Sequence, residues 1–186
     1  MEAAQYQVTW QVQGGQWAYR APNRAQGLSL AFATDGFTAA RYGEEGEALW
    51  EFGLALAAYG DEEYPSVINQ EGLKASGGRV EYRWGGGVTE WYENSPAGVE
   101  QGLTLEAPPE EGEVAVAFVL LGELTPSLDQ SGQHLSLLDS GGKTVLRYDS
   151  LAVYDAMGRE LPARLALAEA VEGSRGTGYE LSLIHI

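Results

Sequence analysis

Arg79-Val80-Glu81-Tyr82-Arg83-Trp84-Gly85-Gly86-Gly87-Val88-Thr89-Glu90-Trp91-Tyr92 is the stretch whose reading decides the fold. Two runs rich in Val, Tyr and Trp flank a block of glycines. Branched and aromatic side chains suit a pleated, half-buried surface, and glycine adopts tight-turn backbone at no steric cost, so the stretch reads as a β-hairpin. With Gly86-Gly87 as a two-residue turn, counting outward pairs Gly85 with Val88, Trp84 with Thr89, Arg83 with Glu90, Tyr82 with Trp91 and Glu81 with Tyr92. That register sets an opposite-charge pair on one face and an aromatic pair on the other, each worth roughly 0.2–1 kcal/mol. Asn94-Ser95-Pro96-Ala97-Gly98 then turns the chain into Val99 to Leu105, completing a three-strand meander.

The same alphabet runs along the chain in both directions. Tyr6, Val8, Trp10 and Val12 alternate with Gln7, Thr9 and Gln11, which predicts a strand with one buried face. Gly14-Gly15 turns it towards Trp17-Ala18-Tyr19. Leu28 to Ala33 and Phe37 to Tyr42 flank Thr34-Asp35-Gly36, a hairpin signal. Trp50 to Tyr59 reads as a strand because Gly53 interrupts it and Tyr59-Gly60-Asp61 ends it; Asp61 to Gly78 reads as a long loop. Val114 to Leu121, apolar on both faces, reads as a central core strand. Three D-x-x-G turns follow, at Asp129 to Gly132, Asp139 to Gly142 and Asp155 to Gly158. Short strands lie around them at His134 to Leu138, Thr144 to Tyr148, Leu151 to Tyr154 and Ala163 to Ala168. The expectation is an all-β, mainly antiparallel, sandwich-like domain built from hairpins and meanders. It spans 1–180 as a single domain, with Pro108-Pro109-Glu110-Glu111-Gly112 marking an internal joint over 107–112.

Bulk composition narrows the function classes. The chain has 186 residues, 44% hydrophobic and 20% charged, which suits a globular domain with a sizeable core. A formal net charge of −16, with Lys scarce and the positive charge mostly Arg, argues against nucleic acid and anionic membrane surfaces as partners. No apolar run approaches the ~20 residues of a membrane-spanning helix, so no membrane insertion is expected. There is no cysteine, which removes disulfides and thiolate metal sites. Neither a basic n-region nor an apolar h-region is visible at the start, and Met1 need not be the true start.

Candidate chemistry is thin. His134 lies in a hairpin strand near Ser131 and Ser136, but no G-x-S-x-G elbow accompanies it. Zinc would need several imidazole or thiolate ligands, and the D-x-x-G loops lack the spaced ligands of a calcium loop, so no metal and no cofactor is expected. Glycoside hydrolysis would need two facing carboxylates; Glu90 or Glu93 beside Trp91 and Tyr92 has suitable residue types. Pairing of Glu90 with Arg83 would hold it ionised and unfit as an acid. The aromatics Trp84, Trp91 and Tyr92 form the candidate ligand-binding platform, for a carbohydrate or a cell-surface protein, on condition that they are exposed. In the competing reading Tyr82, Trp84 and Trp91 line the core while Tyr92 packs beneath a loop, with Val80, Tyr82 and Trp84 as one inward-facing set.

Several strings together resemble a known type of domain. They are Tyr19-Arg20-Ala21-Pro22-Asn23-Arg24, Trp50-Glu51-Phe52-Gly53-Leu54, Val80-Glu81-Tyr82-Arg83-Trp84, Glu90-Trp91-Tyr92-Glu93-Asn94 and Gly98-Val99-Glu100-Gln101-Gly102-Leu103-Thr104-Leu105. Tyr148 to Asp155 with Gly158-Arg159-Glu160-Leu161-Pro162-Ala163-Arg164 completes the set. The whole resembles the β-rich N-terminal domain that precedes FG-GAP, propeller-type or immunoglobulin-like repeats in very large secreted bacterial proteins. The resemblance implies a non-catalytic structural or interaction domain, extracellular or on the cell surface, that presents downstream adhesive repeats. It carries no catalytic residues with it.

Leu181-Ser182-Leu183-Ile184-His185-Ile186 resembles the translation of a transposase-adaptor end used in sequencing libraries. On that reading 181–186 is a non-native tail on a metagenomic fragment whose authentic chain ends near Glu180. Its β-prone letters are expected to complete a last strand from Gly178 onward.

Overall fold

The computed structural model describes residues 6–13, 15–61, 65–107, 113–169 and 179–185. The chain is all-β, antiparallel and sandwich-like. It divides into two compact units, Met1–Gly53 with Ile68–Ala107 and Leu54–Val67 with Pro108–Ile186. Pro108 to Gly112, the spacer read as an internal joint, lie outside the described residues.

In the first unit β1 (Thr9–Gln13), β2 (Gln16–Asn23), β3 (Leu28–Ala33) and β4 (Gly36–Tyr42) follow one another in a sheet, and β5 (Ala48–Asp61) begins beside them. The β3–β4 hairpin forms where Asp-Gly signals one, but its two loop residues are Thr34-Asp35: Ala33 pairs with Gly36 and Phe32 with Phe37. A second sheet has the order β10-β9-β8-β7, from β7 (Gln70–Ser76), β8 (Arg79–Trp84), β9 (Val88–Ser95) and β10 (Gly98–Leu105). The stretch read as a loop from Asp61 to Gly78 thus contains, besides a short strand at Pro65–Val67, the strand β7. Gly72 and polar residues hid it, and it forms because β8 offers a complete pairing edge, with Leu73 opposite Tyr82 and Ala75 opposite Val80. Rings from both sheets meet in the core, Phe37 stacking on Tyr92 at 4.6 Å and Phe32 lying 5.3 Å from it. A buried amide pair ties the layers at one end. Asn23 Nδ2 donates to Asn94 Oδ1 (2.9 Å) and to the Ser95 carbonyl (2.8 Å), and Asn94 Nδ2 donates to the Pro22 carbonyl (3.0 Å).

The central hairpin departs from the sequence reading by one residue. Trp84 pairs with Val88, Arg83 with Thr89, Tyr82 with Glu90, Glu81 with Trp91 and Val80 with Tyr92. The loop is three residues, a 3-10 turn over Gly85–Gly87, with Gly86 and Gly87 at φ 73° and 72°. A one-residue change of register turns every side chain of one strand to the other face. The observed register places Val88, Glu90 and Tyr92 on the buried face with Val80, Tyr82 and Trp84, and gives up both the Arg83–Glu90 and the Tyr82–Trp91 pairs. Arg83 is exposed and Glu90 buried, so they sit on opposite faces.

In the second unit β11 (Val114–Gly122) is largely buried, as its two-faced apolar pattern predicts. It pairs with β18 (Tyr179–His185), which also pairs with β17 (Ala163–Glu169), and a short β6 (Pro65–Val67) joins β5. β12 (Thr125–Leu128), β13 (Leu135–Leu138) and β14 (Thr144–Tyr148) form a three-stranded sheet; β15 (Val153–Tyr154) and β16 (Glu160–Leu161) pair as a short ribbon. The last strand contains 181–185 of the suspect tail, with Leu181 and Ile184 buried; Gly178 and Ile186 lie outside the described residues. A Leu-Ser-Leu-Ile run meets the pairing and burial demands of that slot whatever its origin.

The three D-x-x-G turns share one backbone hydrogen bond. In each, the Gly amide donates to the Asp carbonyl, at 3.2 Å for Gly132, 2.9 Å for Gly142 and 2.9 Å for Gly158. The Asp carboxylate accepts later backbone amides of the same loop: Gln133 and His134 for Asp129, Gly141 and Lys143 for Asp139, Met157 and Arg159 for Asp155. At Asp139 and Asp155 the amide two residues on is bonded, an Asx turn, whereas Asp129 reaches the amides four and five residues on; all three carboxylates accept from the chain's own backbone.

Candidate functional site

The register decides where the candidate residues point. On the inward face of the meander, Trp84 (6% exposed), Tyr92 (1%) and Glu90 (2%) converge. Glu90 Oε2 accepts from Trp84 Nε1 (3.0 Å), and Oε1 accepts from the Tyr92 hydroxyl (2.6 Å) and from Gln101 Nε2 (2.7 Å). Burial pushes the Glu90 carboxyl above its ordinary range, opposed by the hydrogen bonds from Tyr92, Gln101 and Trp84. This corrects the expectation that Arg83 holds Glu90 ionised. Tyr82 stacks on Trp84 at 5.8 Å and donates to the Gly36 carbonyl (3.0 Å). Its hydroxyl is raised well above the usual tyrosine range, first by burial, then by the charges of Glu90 and Asp35.

Trp91 lies on the other face, half-buried, with the Arg79 guanidinium carbon 4.2 Å from its ring centroid. The three aromatics proposed as a platform, Trp84, Trp91 and Tyr92, therefore do not share a surface, and two of them are core. Around Trp91 the outward face is ionic: Lys74 meets Glu81 at 2.7 Å, and Arg79 meets Glu81 at 2.9 Å and Glu93 at 3.5 Å. The hydrogen bond from Lys74, then that from Arg79, lowers the Glu81 carboxyl. Glu90 and Glu93, on opposite faces of β9, cannot flank one glycosidic bond. A hollow of about 360 Å³ in this unit, lined by Asn23, Arg24, Gly27, Leu28, Ser29 and Tyr42, contains no carboxylate. Among the described residues no cluster of three His, Asp or Glu side chains is placed to hold a metal ion. His134 is exposed, and its backbone amide serves the Asp129 turn.

Gly102 is the pairing partner of Trp91, and the indole covers it: a Cβ there would lie 2.0 Å from Trp91 Cζ2. Gly102→Ala is expected to drive the ring off its seat and away from Arg79, at a cost of about 1–2 kcal/mol. Chemical denaturation followed by Trp fluorescence measures it; an unchanged midpoint would show that the indole seat carries no stability.

An aromatic surface does exist, elsewhere. β1 pairs with β2 so that Trp10 opposes Tyr19 and Val12 opposes Trp17. All four side chains occupy the sheet face that carries Ala21, Leu30 and Phe32 further in. Trp10 is 49% and Trp17 57% exposed; the two indoles stack at 5.8 Å and 15°, and Tyr19 meets Trp10 edge-on at 4.7 Å. Alternation predicted one buried face for this strand, yet every residue of β1 is exposed. Among the described residues nothing covers the core-facing side of the sheet at this end.

Comparisons with known protein families, curated proteins and solved structures matched nothing to this chain.

The missed site has a sequence signal. From Ala3 to Tyr19 the chain carries no charged residue, its longest such run, and in it five glutamines accompany Trp10, Trp17, Tyr6 and Tyr19. In a chain of net charge −16 that is a local departure from composition.

Proposed function

We propose that this chain is a non-catalytic structural and interaction domain from the N-terminal part of a secreted or surface bacterial repeat protein, where it presents downstream adhesive repeats. The observation that carries the interaction role is the open aromatic face of Trp10, Val12, Trp17 and Tyr19. Tryptophan and tyrosine supply large contact area at little entropic cost and dominate recognition surfaces. The setting rests on the sequence resemblance, and extension of the coding sequence is expected to reveal a signal peptide upstream and a repeat array downstream.

A second reading, a carbohydrate-binding module, is favoured by the same rings, because glutamine amides beside exposed indoles suit neutral sugar rings. Both readings predict that Trp10→Ala and Trp17→Ala weaken binding to a panel of neutral polysaccharides, bacterial cells and immobilised chain by at least about tenfold. Thermal stability should change little. Binding that is indifferent to both substitutions would sink the reading, as would turnover of a glycoside by the purified chain.

A further inference from the structure

We infer that the partner of this face is a second copy of the chain, added edge to edge through β1. The inference rests on the interaction reading above and names its partner. Among the described residues β1 pairs with β2 alone, at the end of its sheet. An outer strand exposes a row of backbone donors and acceptors, and proteins guard such strands with charges, prolines or bulges. Among the described residues the other outer strands of more than two residues are guarded, β6 by Pro65. β7 carries Glu71, Lys74 and an irregular register at Gln70/Gly72. β10 carries Glu100, β12 Pro126, β14 Arg147, and β17 Arg164 and Glu169. β1, Thr-Trp-Gln-Val-Gln, has no charge, no proline and no bulge. Its unguarded edge and its uncovered aromatic face lie on the same five residues, and an added strand completes both.

Charge selects the second copy. A chain of net charge −16 repels a second copy of itself, and β1 lies within its longest charge-free run. The strand is also self-complementary about a two-fold axis through Gln11. Antiparallel pairing sets Trp10 of each copy opposite Val12 of the other, Thr9 opposite Gln13, and Gln11 opposite its own counterpart. A glutamine amide both donates and accepts, so two of them satisfy each other on the axis, where any charged residue would meet its like. Opposed residues share a face, so the Trp10–Trp17–Tyr19 surfaces of the two copies join into one strip across four strands.

Sedimentation equilibrium on the intact chain tests this, from about 1 μM to 1 mM, a span that brackets the weak association expected of a short strand pair. A concentration-dependent dimer is expected. Gln11→Lys, which faces two ammonium groups across the axis, should weaken it at least about tenfold. Val12→Lys should act likewise, and both sites are exposed, so melting curves should stay close to those of the parent. A chain that remains monomeric throughout, or a dimer that tolerates both lysines, overturns the inference. If the monomer binds a neutral polysaccharide and loses it on Trp17→Ala, self-pairing falls while the interaction reading stands. A monomer inert to every partner sinks both.

Discussion

Tyr82→Ala is expected to lower the unfolding free energy by about 3–5 kcal/mol, the range for removing a large buried aromatic side chain. Tyr82 is fully buried, stacks on Trp84 and lies 6.1 Å from Tyr92 in an edge-on contact, within a group of rings that includes Phe32 and Phe37. Truncation empties the middle of that group. Tyr82→Phe keeps the ring and removes only the hydroxyl that donates to the Gly36 carbonyl, so about 1 kcal/mol is expected. Urea unfolding of the three proteins measures the difference. Equal losses for Ala and Phe would show that the hydroxyl, not the packing, holds this position.

Glu90→Ala is expected to cost about 2–4 kcal/mol, because the Trp84 indole N–H, the Tyr92 hydroxyl and the Gln101 amide lose their shared acceptor inside the core. Glu90→Gln retains shape and one acceptor and should cost less. The same residue gives stability a pH dependence. Burial raises the carboxyl in the folded chain above its unfolded value, so the native state holds the proton more tightly. The stability it contributes is fully present below the ordinary glutamate range and is lost as pH rises through the raised value. Unfolding free energy should therefore fall across that interval in the parent chain and stay flatter in Glu90→Gln. Asp129 runs the other way. The Ser131 hydroxyl, helped by the turn's amides, draws its carboxyl down to about 2, so its contribution is present above the ordinary aspartate range and disappears as pH falls towards that value. A parent profile that matches Glu90→Gln at every pH would show that Glu90 does not titrate in the core.

Gln101 completes the Glu90 site from β10, a strand whose burial pattern offers no obvious hint of an inward contact. Nothing in the local sequence announces it. The pairing of Gln101 opposite Tyr92 brings it into reach, and pairing across strands is a property of the assembled sheet. The platform reading failed for a related reason. Trp84, Trp91 and Tyr92 are near neighbours in sequence, but adjacent residues of a strand face opposite sides, so Trp91 and Tyr92 could never share a surface. Trp10, Val12, Trp17 and Tyr19 come together because cross-strand pairing unites alternate residues of two strands.

By itself, the sequence determined what local chemistry determines: the all-β class, the hairpin at Asp35-Gly36, the glycine block at the central turn, the buried character of Val114 to Leu121 and the D-x-x-G turns at Asp129, Asp139 and Asp155. Each depends on residues a few positions apart, through side-chain alternation or turn backbone. Tertiary structure alone decided which faces are covered. It slipped the central hairpin by one residue, which puts Val88, Glu90 and Tyr92 on the buried face and Trp91 on the other. It sealed Glu90 in the core and drew β7 out of an apparent loop. It also left the aromatic face of β1 open, since alternation tells which side chains share a face but not what lies against that face.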